Sequence, residues 1–239
     1  MFGLGTIINV AAIVVGGILG ALFGKLLKER HQDTLSKVCG ICVLFIAIAG
    51  ALEGMLTVTE DGIVSGGSLL IIGCLAIGGL IGELLNIEGL FERFGTWLKY
   101  KTGNSKDAHF VDGFVTASLT VSIGAMAVVG AIQDGIAGDY SILTTKAILD
   151  LIIIIVMTGS MGKGCVFSAI PVGIFQGSIT ALAVLIKPLM TEAALQNLST
   201  IGAILIFCVG VNLVWGKKIR VANLLPAIVL AVAAAFLPF

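Results

Sequence analysis

Eight stretches of this chain are apolar over most or all of the length needed to cross a bilayer, and short polar links separate them. A hydrocarbon layer of about 30 Å takes roughly 20 mostly apolar residues in a helix. The windows are Leu4–Gly24, Val38–Thr57, Ser68–Leu85, Phe110–Ile132, Ile142–Ser160, Cys165–Ile186, Thr200–Trp215 and Leu224–Leu237. The seventh and eighth are short, so seven spans is the alternative count. Runs such as Leu149–Met157, broken only by Asp150, argue against a transmembrane β-barrel, whose strands alternate over about ten residues. The expected fold is all-α: a polytopic helix bundle forming one transmembrane domain over 1–239. Composition agrees, with 58% apolar and only 12% charged residues. That leaves too little polar surface for a nucleic-acid binder, a secreted disulfide scaffold or an ordinary cytosolic enzyme.

The basic residues give an orientation. The first link carries Lys25, Lys28, Arg30 and Lys37, the third Arg93, Lys99, Lys101 and Lys106, the fifth Lys163, and the seventh Lys217, Lys218 and Arg220. The second holds Glu60 and Asp61 and no base, the fourth has none, and Lys187 is alone in the sixth. Cytoplasmic links collect Lys and Arg, so the odd links are expected inside and both termini extracytoplasmic. The first span has no basic stretch before it and a basic flank after it. It is expected to be retained rather than cleaved as a signal peptide.

In the third link Leu90, Phe91, Phe94, Trp97 and Leu98 recur at helical spacing, with charged residues between them. That predicts an amphipathic helix near 88–101, lying in the headgroup plane. Internal echoes are weak: Val15-Gly16-Gly17-Ile18-Leu19-Gly20 parallels Ile77-Gly78-Gly79-Leu80-Ile81-Gly82, as in a duplicated hairpin, and the sixth span carries a candidate inverted copy. Gly16/Gly20, Gly20/Gly24 and Gly78/Gly82 are small-xxx-small pairs that let helix backbones approach. They serve packing within one chain or in a homo-oligomer.

Charged groups inside a span are expensive and usually functional. Lys146 and Asp150 stand four apart in the fifth span, on one helical face, with Asp150 about 6 Å deeper. Lys146 can snorkel outward; Asp150 is too short to do so. Gln133 and Asp134 end the fourth span, as Glu53 ends the second, and read equally as an acidic vestibule or as solvated helix ends. The sixth span combines Ser168, Pro171, Gln176, Ser178 and Thr180. Pro171 is expected to kink or break that helix, and broken helices expose backbone groups that bind ions or solutes in many transporters; interhelical hydrogen bonding is the plainer use of the same side chains. Asn9, Asn212, Asn223 and Pro226 are weaker candidates.

Other motifs point away from catalysis. Thr158–Cys165 lacks the spacing of a phosphate loop and no strand precedes it. Cys39 and Cys42 have C-x-x-C spacing without a second pair, and His31 and His109 are the only histidines, so no zinc site or redox motif is expected. The sequence implies no cofactor and no enzymatic activity.

The segments Gly124–Gly135, Lys146-Ala147-Ile148-Leu149-Asp150, Phe167–Val172 with Gln176-Gly177-Ser178, and Arg220–Ala227 together resemble a bacterial inner-membrane family, the domain-of-unknown-function 554 group (YdfK-like or YqgA-like). The resemblance runs nearly end to end. It departs after Asp150, where Leu151 stands in place of the expected glycine. It implies a multi-span protein of the bacterial cell membrane, loosely grouped with transporters, and supplies no substrate. The combined expectation is a transporter or channel for a small ion or polar solute, with Asp150, Lys146, Gln133, Asp134, Gln176, Ser178, Ser168, Pro171 and Asn212 as site residues. The competing reading is a membrane scaffold or sensor. The expected partners are the bilayer, the solute and further copies of the chain, with no nucleic acid.

Overall fold

Apolar sequence without a polar stripe favours helices buried in lipid or in one another, since only a helix satisfies its own backbone there. A computed structural model describes residues 3–236 other than Lys25 and Asp61. The basic charge of Lys25, the acid of Asp61 and the last residue of the eighth window, Leu237, lie outside the described residues.

The elements are α1 (Leu4–Gly24), α2 (Glu29–Met55), β1 (Leu56–Thr59), β2 (Gly62–Ser65), α3 (Ser68–Leu85), α4 (Ile87–Lys101), α5 (Phe110–Ser122), α6 (Ala125–Ala137), α7 (Ser141–Met161), α8 (Ala169–Ala181), α9 (Ala183–Ile186), α10 (Glu192–Trp215) and α11 (Pro226–Ala234). Short 3₁₀ segments cover Lys163–Ser168, Lys187–Leu189 and Val221–Leu224. Among the described residues, six helical segments are long and apolar enough to cross a membrane; α5 with α6 makes a bent seventh, and the run Val221–Ala234 is a shorter apolar helix. Each of the eight windows is therefore mainly helical over its described residues. The seventh is not short, because Thr191 caps α10 by accepting the Ala194 N–H at 3.2 Å and the helix begins well before Thr200.

Three features depart from the sequence reading. The second link holds an antiparallel hairpin, with Leu56 opposite Ser65 and Thr59 opposite Gly62. The fourth window is not one helix: α5 and α6 meet at 63°. Gly124, at the joint, has φ 147° and ψ 151°, backbone that essentially only glycine adopts. Pro171, by contrast, breaks nothing. It is the third residue of α8, inside the first turn, where no helical partner is missing for its absent N–H. The irregular backbone in that span is the 3₁₀ stretch before it.

Glycines set the packing. α1 packs most extensively on α7 and α2 on α10. A Cβ on Gly16 would stand 2.7 Å from the Leu151 carbonyl oxygen, and one on Gly24 would stand 3.1 Å from that of Gly159, so the two helices run parallel with backbones nearly touching. Gly78 and Gly82 seat Ala227 and Asn223 instead, on a chain running the opposite way. The small-xxx-small seams are thus filled within the chain. Asn86, at φ 49°, ends α3 and accepts the Gly89 N–H with its side chain, turning the chain into α4 without a loop; asparagine tolerates this left-handed conformation.

Candidate functional site

Where α5 stops, its last carbonyls lose their helical partners. Lys146, reaching from α7, donates to the Val121 carbonyl at 2.7 Å and to the Asp150 carboxylate. The pair is almost fully buried, with side chains 8% and 6% exposed. A cation at the carboxyl end of a half-helix also meets the negative end of its dipole. Asn9 of α1 lies beside the Asp150 carboxylate, and its amide donates to Gln176 Oε1 of α8 at 3.2 Å. Asn9 and Gln176 are both fully buried. Asn9 Oδ1, Gln176 Nε2 and the hydroxyl of Ser122, next to the break, have no hydrogen-bond partner in the protein. Lys146, Asp150, Asn9, Gln176 and the α5–α6 joint thus form one buried polar cluster with unused donor and acceptor capacity.

Hollows approach this cluster from both faces. On the face of the basic links, a cavity of about 580 Å³ is lined by Gln32, Asp33, Glu88, His109, Asp112 and Lys217, and it runs along α5 to Thr116 and Leu119. Leu119 is three residues, about 4.5 Å, from Ser122. On the other face an open groove of about 550 Å³ includes Thr6, Gly177 and Thr180. Thr6 is three residues from Asn9, and Thr180 is four from Gln176. The Thr6 and Thr180 hydroxyls are 3.5 Å apart. Neither hollow is lined by Lys146 or Asp150.

The other sequence candidates stand apart from the cluster. Asp134 is fully buried rather than solvated at a vestibule; its Oδ2 accepts the Gly5 N–H at 3.0 Å, an acidic cap on the first turn of α1 supplied from α6. Gln133 beside it is half-buried, and Glu53 is exposed. Ser178 is exposed and its hydroxyl donates to the Phe175 carbonyl, since two residues of helix turn it away from Gln176. Ser168 is buried but donates to the Cys165 carbonyl at 2.7 Å, closing the 3₁₀ turn. Asn212 lines the larger cavity, yet it donates to Ile219 and accepts from the Lys218 and Ile219 N–H groups; it shapes the link after α10.

A second polar cluster includes the weaker candidate Asn223 and centres on a residue that the sequence does not mark. Glu88 of α4 is only 5% exposed; its carboxylate accepts the Ala222 N–H at 2.9 Å and pairs with Lys217 at 3.0 Å. The Glu88 N–H donates to Asn223 Oδ1 at 2.7 Å, and the Asn223 amide and Arg220 both reach Glu83. Lys217 also pairs with Glu92. Burial pulls the Lys217 pKa down, but hydrogen bonds to Glu92 and Glu88 and their charges outweigh it and hold it above the ordinary lysine value. This cluster clips α4 to the link between α10 and α11. In the sequence Glu88 looks like any polar position of an amphipathic helix, so nothing there marks it as buried.

Among the described residues no group of three or more His, Cys, Asp or Glu side chains is placed to hold a metal ion.

The family model described as Protein of unknown function (DUF554) matches residues 4–236. The chain belongs to that family. It is 31% identical over 226 residues to a Bacillus subtilis protein named "Uncharacterized membrane protein YdfK", covering 95% of this chain and 93% of that one. It is 28% identical over 235 residues to the Escherichia coli protein "Uncharacterized protein YqgA", covering 95% and 94%. No solved structure matches. With its apolar helices, membership of the DUF554 family makes this a multi-pass membrane protein.

Proposed function

We propose that the protein carries a small ion or polar solute across the bacterial cell membrane, with the Lys146–Asp150–Asn9–Gln176 cluster as its site and no enzymatic chemistry. The observation that supports this most is the α5–α6 break. A discontinuous helix inside a bundle, its free carbonyl met by a buried charge and hollows ending about a turn away on either face, is the arrangement by which carriers alternate access to a midplane site. In this reading the structure is occluded, the basic face is cytoplasmic and both termini are outside.

A scaffold or sensor is the second reading, and the closed pairing of Lys146 with Asp150 favours it. Buried pairs of this kind also hold helices together. The glycine pairs that suggested a homo-oligomer are filled within the chain; Gly73 on α3, with open space beside it, is left for a contact between copies.

Accessibility separates the two. With the five native cysteines replaced, Ser122→Cys in liposomes should react with a membrane-impermeant thiol reagent from either side if access alternates. Protection from both sides would favour the scaffold.

A further inference from the structure

The acceptors that hold Lys146 are a set of oxygens suited to a different occupant. In an unbroken helix the Val121 carbonyl would accept the backbone N–H four residues on; the turn at Gly124 removes that partner, and the Lys146 ammonium takes its place at 2.7 Å. The other acceptor is the Asp150 carboxylate. Carboxylate and unwound carbonyl oxygens are what coordinate alkali cations in transporters with broken helices. Two further oxygens are buried and unpartnered: Oδ1 of Asn9, the residue that neighbours the Asp150 carboxylate, and Oγ of Ser122, the residue after Val121; a Cβ on Gly124 would meet no atom within 4 Å.

We propose that Asp150 and the Val121 carbonyl bind a small monovalent cation, which replaces the Lys146 ammonium as that side chain gives up a proton. The proposal rests on the transporter reading and names its substrate class. Charge balance requires the proton. The pair is neutral, and adding a cation beside a retained ammonium would leave one uncompensated charge where water is excluded. The step conserves charge: the ammonium of Lys146 and the cation become a neutral amine, a cation on the carboxylate and one released proton. A lysine can make this exchange; an arginine stays protonated.

Nothing else near the pair supplies a compensating charge. Lys146 and Asp150 have only each other as charged partners among the described residues. Of the elements packed on α7, α1 contains no charged residue. α5 has Asp112 at its inner end, and α6 has Asp134, bonded to Gly5. The 3₁₀ segment carries Lys163 and Cys165, while α2 has Asp33, Lys37, Cys39, Cys42 and Glu53 besides the charges of its first turn. α8, which supplies Gln176, contains no charged residue.

Adding lithium, sodium or potassium chloride to the detergent-solubilised full chain in weak buffer, with choline chloride as the ionic-strength control, tests this. At least one alkali salt should release about one proton per chain at saturation, with apparent affinity rising about tenfold per pH unit. Lys146→Arg should release none while melting as wild type does in choline chloride. The paired substitution Lys146→Met/Asp150→Leu, which leaves no lone charge, should release none as well. Absence of release from folded wild type, or equal release from the paired variant, would overturn the proposal. Solute flux in liposomes without alkali-dependent proton release defeats this site and leaves the transporter reading standing. Proton release with no flux of the bound cation supports the site and defeats transport.

Discussion

Lys146 and Val121 are joined by a hydrogen bond of 2.7 Å from the ammonium to the carbonyl at the end of α5. The bond ties the one sharply broken apolar helix among the described residues to a buried ion pair, and each needs the other. Without the lysine the broken end leaves a carbonyl unsatisfied in an apolar medium; without the break the lysine has only Asp150.

Gly124 is where that arrangement is weakest to substitution. Its φ of 147° suits no side chain, although space is open around it. Gly124→Ala should therefore destabilise through backbone strain alone, by about 1–3 kcal/mol. Gly177→Ala, equally uncrowded but helical, should be neutral or slightly stabilising. Melting temperatures in detergent check the contrast; equal effects would contradict the assigned backbone at the break.

Gly16 tests the seam that sets the height of α7. A Cβ there would stand 2.7 Å from the Leu151 carbonyl oxygen, and backbone cannot yield as a side-chain tip does. Gly16→Val should cost on the order of 1–3 kcal/mol and disturb the neighbouring Asp150. Gly73→Val, where nothing is close, serves as the comparison in the same unfolding measurement.

Much of the fold is legible in the residues because crossing a bilayer is a demand of length and apolarity, and both are read directly from sequence. The i, i+4 pair Lys146 and Asp150 is legible for a similar reason, since helical geometry alone puts them together. The break is not. Gly124 is one of 32 glycines and one of eight described glycines with positive φ; what distinguishes it is its place inside an apolar span, and no neighbouring residue announces that. Pro171 drew attention to the wrong span because a proline breaks a helix in its interior and not in its first turn. Asn9 and Gln176 are 167 residues apart, and nothing local to either announces the other. The hairpin of Leu56–Ser65 is hard to read although Asp61-Gly62 is a turn signal, because its strands are exposed throughout and carry no burial pattern.

Lys217 makes a pH prediction on the basic face. Its pKa is held above the ordinary value of 10.5 by Glu92 and Glu88 against the opposing effect of burial. A group whose pKa is raised by folding contributes stability that is full below its unfolded value and is lost as pH climbs through the folded one. Lys217→Gln should thus melt below wild type at neutral pH, with Glu88 left buried and short of a partner. The gap should narrow once pH passes 10.5. A gap constant with pH would show that the ion pairs with Glu88 and Glu92 contribute nothing.

Flux through liposomes containing the full chain tests the central claim most directly. Wild type should move at least one member of a broad panel of ions and small polar solutes faster than protein-free liposomes do. Asp150→Asn, and the paired variant Lys146→Met/Asp150→Leu with its fold verified by melting, should fall to the protein-free rate. No flux for any member of the panel, or undiminished flux in the folded paired variant, would contradict the account.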